Sequence, residues 1–308
     1  MIPRVAYYET AILPKAVDGP TAPPTLAEMA ARHGLKPAGT RPTLGEYTRR
    51  IWRYREFITF YASARQAATV ASARLGRLWI VLTPLLNAAV YFVIFGIVLN
   101  LGRDIPNFIG YLTIGFFVYS FTQSVAQAGV VSISGQIGLV RALQFPRASL
   151  PIAAVIMQLR NFVISVVVLL GIVLATGEPV TSRWPWVLPA LALQTVFNVG
   201  LACGLARIGA RIADARQVLP VLLRIWMYLS GVFYSVTIYE QMPSAVTTIV
   251  HWNPLLTYIE LMRWSLLTEP PLTSAFAELW LKGVVWAAVM AFIGYWLVWR
   301  GEGEYGRG

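Results

Sequence analysis

Three runs of the chain carry no charged residue: Leu78–Gly102, Ile105–Val140 and Trp184–Ala206, of 25, 36 and 23 residues. About 20 apolar residues are enough for a helix to cross the hydrocarbon core of a bilayer. Hydrocarbon offers the backbone no hydrogen-bond partner, so a segment that spans it must bond internally. Hydrophobic residues make up 57% of the chain and charged residues 13%, against about 25% in soluble domains. These features predict an all-α polytopic membrane protein.

Apolar stretches of spanning length predict six transmembrane helices, at Leu78–Leu99, Phe108–Val130, Leu150–Thr176, Trp184–Ala206, Val218–Val236 and Leu281–Trp299. A further stretch, Ile249–Leu267, is interrupted by Asn253-Pro254 and contains Glu260 and Arg263. Proline removes a helical hydrogen bond, and charges are costly at mid-membrane. We therefore interpret Tyr239–Thr268 as re-entrant or interfacial helices between the fifth and sixth spans. A spacing of three residues would let Glu260 and Arg263 pair on one side of such a helix.

The other segments are assigned from composition and periodicity. Residues 1–44 contain seven prolines and no periodic apolar pattern, which predicts an irregular cytoplasmic extension. Residues 45–77 predict an amphipathic helix in the plane of the membrane interface. Its apolar face carries Ile51, Tyr54, Ile58 and Tyr61, and its polar face carries Arg49, Arg53 and Glu56. Residues 78–300 form the predicted transmembrane domain, and residues 301–308 a cytoplasmic tail.

Basic residues gather on one side of the predicted spans. If the amino terminus is cytoplasmic, 12 basic residues precede the first span. The inner loops and tail add Arg141, Arg147, Arg207, Arg211, Arg216, Arg300 and Arg307, while the outer side has Arg103, Arg183, Arg263 and Lys282. The positive-inside rule then predicts a multi-pass protein of the cytoplasmic membrane with both termini inside. The net charge of +11 points to anionic lipid headgroups, not to nucleic acid.

Several kinds of chemistry are disfavoured. Cys203 is the one cysteine and lies in a span, while His33 and His251 fall on opposite sides of the membrane, so no metal site is predicted. No G-x-x-x-x-G-K-[ST] sequence occurs, so the chain has no P-loop for ATP. Acidic residues avoid the six spans, which disfavours proton-coupled transport. No cofactor of its own and no enzymatic activity are predicted for the chain.

The segment QIGLVRALQFPRASLPIAAV, residues 136–155, connects the second and third spans. Its first part predicts a short amphipathic helix, after which Pro146-Arg147 returns the chain to the membrane. Ile137, Val140 and Leu143 would be apolar side chains on a cytoplasmic surface. The segment is either a tight connector or a protrusion that fits a soluble partner.

Four stretches carry a resemblance: LGRLWIVLTPLL at 75–86, QFPRASLPIAAV at 144–155, YLSGVFYSV at 228–236 and WNPLLTYIELMRWSLL at 252–267. In order and spacing, over about residues 45–300, they resemble the permease subunit of polysaccharide ABC exporters, which export O-antigen, teichoic acid or actinobacterial galactan. The resemblance implies an ABC type 2 exporter-like fold and export of a lipid-linked polysaccharide, with cell-wall galactan as one candidate. The implied partners are a second copy, two ATP-binding cassette subunits that bind ATP and Mg, the glycan and membrane lipids.

The resemblance also implies how the 136–155 segment works. It would be the coupling helix that enters a cleft of the ATPase, so that movement of the ATPase reaches the third span. The residues implied in this contact are Gln136, Ile137, Val140, Arg141, Leu143, Pro146 and Arg147.

Candidate residues for the path of the substrate are two arginines and a set of aromatic residues. Arg160 and Arg224 lie about seven to ten residues inside the third and fifth spans, roughly 10–15 Å deep. They could receive the pyrophosphate of a lipid-linked glycan, or they could snorkel to the interface. Aromatic rings pack against sugar rings, although Trp and Tyr also gather at membrane interfaces. The aromatic candidates are Trp226, Tyr228, Phe233, Tyr234, Tyr239, Trp252, Tyr258 and Trp264.

Two other functions are compatible with parts of the sequence. An ABC-type drug or lipid exporter permease would have the same fold. A polytopic glycosyltransferase could also use lipid-linked sugars, but it would need acidic residues at the membrane surface. Here Asp104, Glu178, Glu240 and Glu269 are scattered, without a D-x-D motif.

Overall fold

The computed structural model describes residues 42–71, 78–102, 105–235 and 243–303. Within these ranges the regular secondary structure is entirely helical. The predicted extension, residues 1–44, lies outside them except for its last three residues, as does the predicted tail from residue 304 onward. The α-helices are α1 (Leu44–Arg53), α2 (Arg55–Ala71), α3 (Leu78–Tyr91), α4 (Phe108–Val130), α5 (Ile137–Ala142), α6 (Ser149–Ala175), α7 (Val187–Arg211), α8 (Ala215–Tyr228), α9 (Ser244–His251), α10 (Pro254–Leu266) and α11 (Phe276–Gly301).

Five helical segments within the described ranges are long and apolar enough to cross a membrane. They are Val81–Val98, Phe108–Val130, Ser149–Ala175, Trp184–Arg211 and Phe276–Gly301. The first combines α3 with a π-helical continuation, Phe92–Val98. The prediction of an all-α membrane fold is confirmed, and these segments match the first four predicted spans and the last one.

The predicted fifth span, Val218–Val236, is wrong as a continuous helix. Its helical part, α8, has 14 residues and covers about 21 Å, which is short of a hydrocarbon core of about 30 Å. Beyond α8 the chain turns at Gly231, whose φ of 57° suits a residue without a Cβ. Val232 and Phe233 are fully buried, as irregular backbone at membrane depth must be. Helix length therefore yields five spans and not six among the described residues.

The region predicted to be re-entrant, Tyr239–Thr268, contains two short helices, α9 and α10, within its described part. They are separated at Asn253, whose side chain accepts a hydrogen bond from the backbone N–H of Leu255. Pro254 occupies the first turn of α10, where its missing N–H costs nothing. The helix break predicted from Asn253-Pro254 is thus confirmed. Almost all of α10 is buried, in contact with α4, α7 and α11.

The amphipathic segment predicted at 45–77 forms two helices, α1 and α2, separated at Tyr54; residues 72–77 lie outside the described ranges. Ile58 is buried together with Ala62 against Ala153 of α6. The apolar face of the segment therefore packs largely on α6 of the same chain. Its position in a membrane interface stays a prediction.

The helices α7 and α11 contact each other closely. A methyl group on Gly294 would overlap the carbonyl oxygen of Gly200, and one on Gly200 would overlap the carbonyl of Met290. The two backbones thus touch directly, as small residues allow in membrane helices. By contrast, many apolar side chains of α3 and α8 are exposed, among them Leu86, Val90, Val221 and Ile225.

Hydrogen bonds define two ends of the bundle. At one end the Trp299 indole N–H donates to the carbonyl of Pro42 at 2.8 Å. At the other end the Asn107 amide and the backbone N–H of Thr268 both donate to the carboxylate of Glu178, at 3.1 and 3.0 Å. We call the first the Tyr47 end, because Tyr47 of α1 lies there, and the second the Asn107 end.

Candidate functional site

The segment that connects α4 to α6 protrudes at the Tyr47 end. One 3₁₀ turn, Ser134–Gln136, leads into α5, and the chain is extended again at Leu143. Ile137 and Leu143 are 45% and 49% exposed, and Arg141 is also exposed. The Gln136 amide donates to the carbonyl of Gly135. The segment therefore presents two exposed apolar side chains, one on α5 and one directly after it, beside a cation.

Val140 faces the opposite way, so the prediction that it lies on a free surface is wrong. Only 3% of it is exposed, and it belongs to an apolar cluster with Ile133, Phe145, Leu150 and Ala206. One face of this six-residue helix packs against the bundle, and Val140 lies on that face. This cluster fixes α5 to the start of α6 and the end of α7.

The exit of the segment is held by two residues that the sequence analysis did not identify, Tyr47 and Glu302. The backbone N–H of Arg147 donates to Glu302 Oε1 at 3.2 Å, and Arg147 Nη1 donates to the same oxygen at 3.3 Å. The Tyr47 hydroxyl donates to Glu302 Oε2 at 2.7 Å and accepts from the backbone N–H of Ala148 at 3.1 Å. Pro146 is buried beside them.

A signal for Tyr47 was available, because it extends the apolar stripe of Ile51, Tyr54, Ile58 and Tyr61 by one turn. No local pattern marks Glu302. Burial raises the pKa of the Glu302 carboxyl above its ordinary value of 4.5, an effect that the hydrogen bonds from Tyr47 and Arg147 only partly offset. Burial and the nearby carboxylate raise the pKa of Tyr47, so its hydroxyl stays a donor.

Arg160 lies in the contact between α2 and α6. Its Nη1 donates to Ser63 Oγ at 2.7 Å. Next to it, the Gln66 amide donates to Asn161 Oδ1 at 2.8 Å. Arg160 thus helps to join the amino-terminal helices to the bundle.

Arg224 lies on α8, which packs through a single stripe formed by Leu219, Leu223 and Met227. Arg224 is exposed and forms no hydrogen bond with any residue that the structure describes. Tyr91 and Tyr119 lie near enough to interact with it electrostatically. Of the two predicted arginines, Arg224 is the one that is available to bind an anion.

Three of the aromatic candidates hold the fold together. The Phe233 ring is fully buried and stacks on Phe95, with the ring centres 4.5 Å apart. Tyr258 is buried and donates to the carbonyl of Gly283 at 2.9 Å. Trp226 donates to Asn253 Oδ1 at 2.8 Å. Phe233 and Tyr258 therefore cannot face a substrate in this conformation, contrary to their place among the path candidates.

The other aromatic candidates lie nearer the surface. Tyr228 and Trp252 are exposed, and Tyr234 donates a hydrogen bond to the carbonyl of Tyr228. Trp264 is half-buried, and its ring centre lies 4.6 Å from that of Phe276. Tyr239 lies outside the described residues.

The predicted pairing of Glu260 with Arg263 is wrong, although both side chains are fully buried. The Glu260 carboxylate accepts from the backbone N–H and the hydroxyl of Thr273, at 2.9 and 2.7 Å. Arg263 donates to the carbonyls of Tyr111 and Val232. Each charged group thus takes other partners, and no direct ion pair joins these two described residues. Arg263 is also part of the interior and not of an outer surface.

Comparison with known proteins adds to this picture. Residues 59–267 match the family described as ABC-2 type transporter. The chain is 28% identical over 214 residues to the O-antigen export system permease protein RfbA of Myxococcus xanthus, covering 68% of this chain and 79% of that protein. It is 25% identical over 189 residues to the protein of the same name from Klebsiella pneumoniae, covering 61% and 71%. It is 24% identical over 192 residues to the polysialic acid transport protein KpsM of Escherichia coli, covering 62% and 73%.

Proposed function

The chain belongs to the ABC-2 type transporter family, and we propose that it is the permease subunit of an exporter that moves a lipid-linked polysaccharide across the cytoplasmic membrane. Similarity to permeases named for O-antigen export and polysialic acid transport supports a polysaccharide as the cargo. The Tyr47 end would face the cytoplasm, in keeping with the basic residues of α1 and α2. A cell-wall galactan is one candidate for this cargo.

The observation that carries the proposal is the short helix α5 at this end. Ile137 is exposed on it and Leu143 is exposed directly after it, while Val140 fixes it to the bundle. A separate ATPase subunit, which would bind ATP and Mg²⁺, would cover the two exposed side chains. Such an apolar contact is typical of the centre of a protein interface. Movement of the ATPase would then reach α6, which begins at Ser149, a few residues beyond α5.

The exposed side of α8 supports a second copy of the chain as partner. An arginine facing hydrocarbon is costly, and Arg224 has no hydrogen-bond partner among the described residues to offset that cost. If the exposed sides of α3 and α8 faced a second copy across a polar path, the charge of Arg224 would be solvated there. It could then bind the pyrophosphate of the substrate, with the exposed Tyr228 beside it for sugar rings.

Purification with and without its ATPase tests this assignment. The chain should co-purify with a P-loop ATPase as a complex of two permeases and two ATPases. ATP hydrolysis should require the ATPase subunit, because the permease has no P-loop. A chain that hydrolyses ATP alone, or that exports glycan as a monomer, would contradict the proposal.

A further inference from the structure

We infer that Glu302 and Tyr47 are positioning residues that connect the exit of the α5 segment to α11, so that movement driven by the ATPase enters the bundle through two helices. The inference rests on the proposed function, which requires only the path from α5 into α6. It adds a second path, from the backbone of Arg147 and Ala148 to the end of α11.

The contact is a closed ring of hydrogen bonds. Glu302 accepts from Arg147, Tyr47 donates to Glu302, and Ala148 donates to Tyr47. These three hydrogen bonds link four residues, and the peptide bond between Arg147 and Ala148 closes the ring. Hydrogen bonds to an ionised carboxylate are shorter and stronger than those between neutral groups. The ring therefore fixes the distance between the segment exit and the end of α11.

The ring is also shielded from water. Tyr47 and Ala148 are fully buried, and the Glu302 side chain is 10% exposed. A carboxylate buried in this way loses hydration, and its hydrogen bonds together with its ion pair to Arg147 offset that loss. A break in the ring would leave buried polar groups without partners, so the segment exit and α11 are expected to move together.

The ring lies at the junction of three helices. Arg147 and Ala148 immediately precede α6, Glu302 immediately follows α11, and Tyr47 belongs to α1. A displacement of the α5 segment would act on α6 through the covalent chain and on α11 through Glu302. Because the backbones of α11 and α7 touch at Gly200 and Gly294, α7 would follow α11.

The test measures the movement of each helix in the complete complex with its ATPase. The one native cysteine, Cys203, is buried, so a spin label will attach to an introduced cysteine. Val167 of α6 and Phe292 of α11 are suitable sites, since they are 67% and 69% exposed. Each site would be labelled in a separate sample, as Val167→Cys or Phe292→Cys. The distance between the labels of the two copies would be measured before and after trapping with ATP and vanadate.

In the complex whose ring is unmutated, the distance between the two copies should change on trapping for both labels. Glu302→Ala should reduce the change at α11 to less than half and leave the change at α6. Glu302→Gln keeps an acceptor oxygen for Arg147 and should restore most of the response. Tyr47→Phe keeps the aromatic side chain but removes its hydroxyl, so it should give an intermediate reduction of the change at α11. Glu46→Gln is the matched control, because Glu46 is exposed and, among the described residues, its carboxylate pairs only with Arg50 of its own helix.

Three results would overturn the inference and leave the proposed function intact. The α11 label could remain still in the unmutated ring while the α6 label moves. Glu302→Ala could leave the α11 response unchanged. Glu302→Ala and Tyr47→Phe could abolish both responses together with a fall in melting temperature, which would make the ring a structural contact only. If neither label moves in the unmutated complex, the proposed coupling itself fails, and this inference with it.

Discussion

The guanidinium carbon of Arg263 lies 3.3 Å from the centre of the Tyr111 ring. Its Nε donates to the Tyr111 carbonyl at 3.2 Å, and its Nη2 donates to the Val232 carbonyl at 3.1 Å. One fully buried cation thus joins α4, α10 and the irregular chain after α8. Because a buried charge is costly without such partners, these contacts fix how the three parts pack.

Gly115 provides the space for this arginine. A Cβ at position 115 would come within 2.6 Å of Arg263 Nη2. Overpacking typically costs about 1–3 kcal/mol, so Gly115→Ala should lower the melting temperature by several degrees. Gly171→Ala is the control, since Gly171 lies in α6 and a Cβ there meets nothing within 4 Å. Equal melting temperatures for the two variants would contradict the role assigned to Gly115.

Substitutions in α5 and at Leu143 directly after it should separate partner binding from folding. Leu143→Asp places a charge where the ATPase is expected to bury an apolar group, which should cost about 2 kcal/mol, or about 30-fold in affinity. The melting temperature of the permease should not change in Leu143→Asp. Val140→Asp should instead lower the melting temperature, because Val140 is buried within its own chain. Leu143→Met is the apolar control, and co-purification with the ATPase is the measurement. Undiminished binding by Leu143→Asp would make the segment a plain connector.

The two predicted arginines should behave differently when replaced. Arg224→Gln should reduce export strongly and leave melting unchanged, since Arg224 has no hydrogen bond to lose among the described residues. Arg224→Lys should keep partial export, because lysine supplies the charge but not the planar fork. Arg160→Gln should lower melting and export together, through loss of the bond to Ser63. Normal export by Arg224→Gln would end the anion-binding role.

Stability should depend on pH through Glu302. Burial raises the pKa of this carboxyl above 4.5, so the folded chain holds the proton more tightly than the unfolded chain. The free energy of unfolding should therefore fall as pH rises from about 4.5 through the raised pKa. Glu302→Gln does not titrate and should flatten this part of the profile of melting temperature against pH. A profile identical to that of the unmutated chain would contradict the assignment.

The membrane class and most spans were predictable because long apolar runs leave few alternatives to a spanning helix. The helix break at Asn253-Pro254 was also predictable, because proline removes a hydrogen bond from the interior of a helix. The end of α8 was not, because an apolar run does not reveal that Gly231 turns the chain inside the protein. Likewise, a spacing of three residues suggested a contact between Glu260 and Arg263. In the folded chain each of them instead bonds to residues distant in sequence or to backbone carbonyls of other segments.

The candidate site was predictable only in part. The sequence located the α5 segment, but six residues do not show which of Ile137, Val140 and Leu143 is covered. The ring at its exit depends on Tyr47 and Glu302, which are 255 positions apart and meet only through folding. The burial of Phe233 and Tyr258 similarly follows from packing, since aromatic residues in a core and along a path look alike in sequence.

Transport in inverted membrane vesicles tests the central claim most directly. Vesicles that carry the lipid-linked glycan of the source cell on their outer face would receive ATP, and the glycan that becomes protected from added glycosidase would be measured. We predict ATP-dependent protection in vesicles that contain this chain and its ATPase, and none when the chain is depleted. Protection that is equal with and without the chain would contradict its assignment as the permease of a polysaccharide exporter.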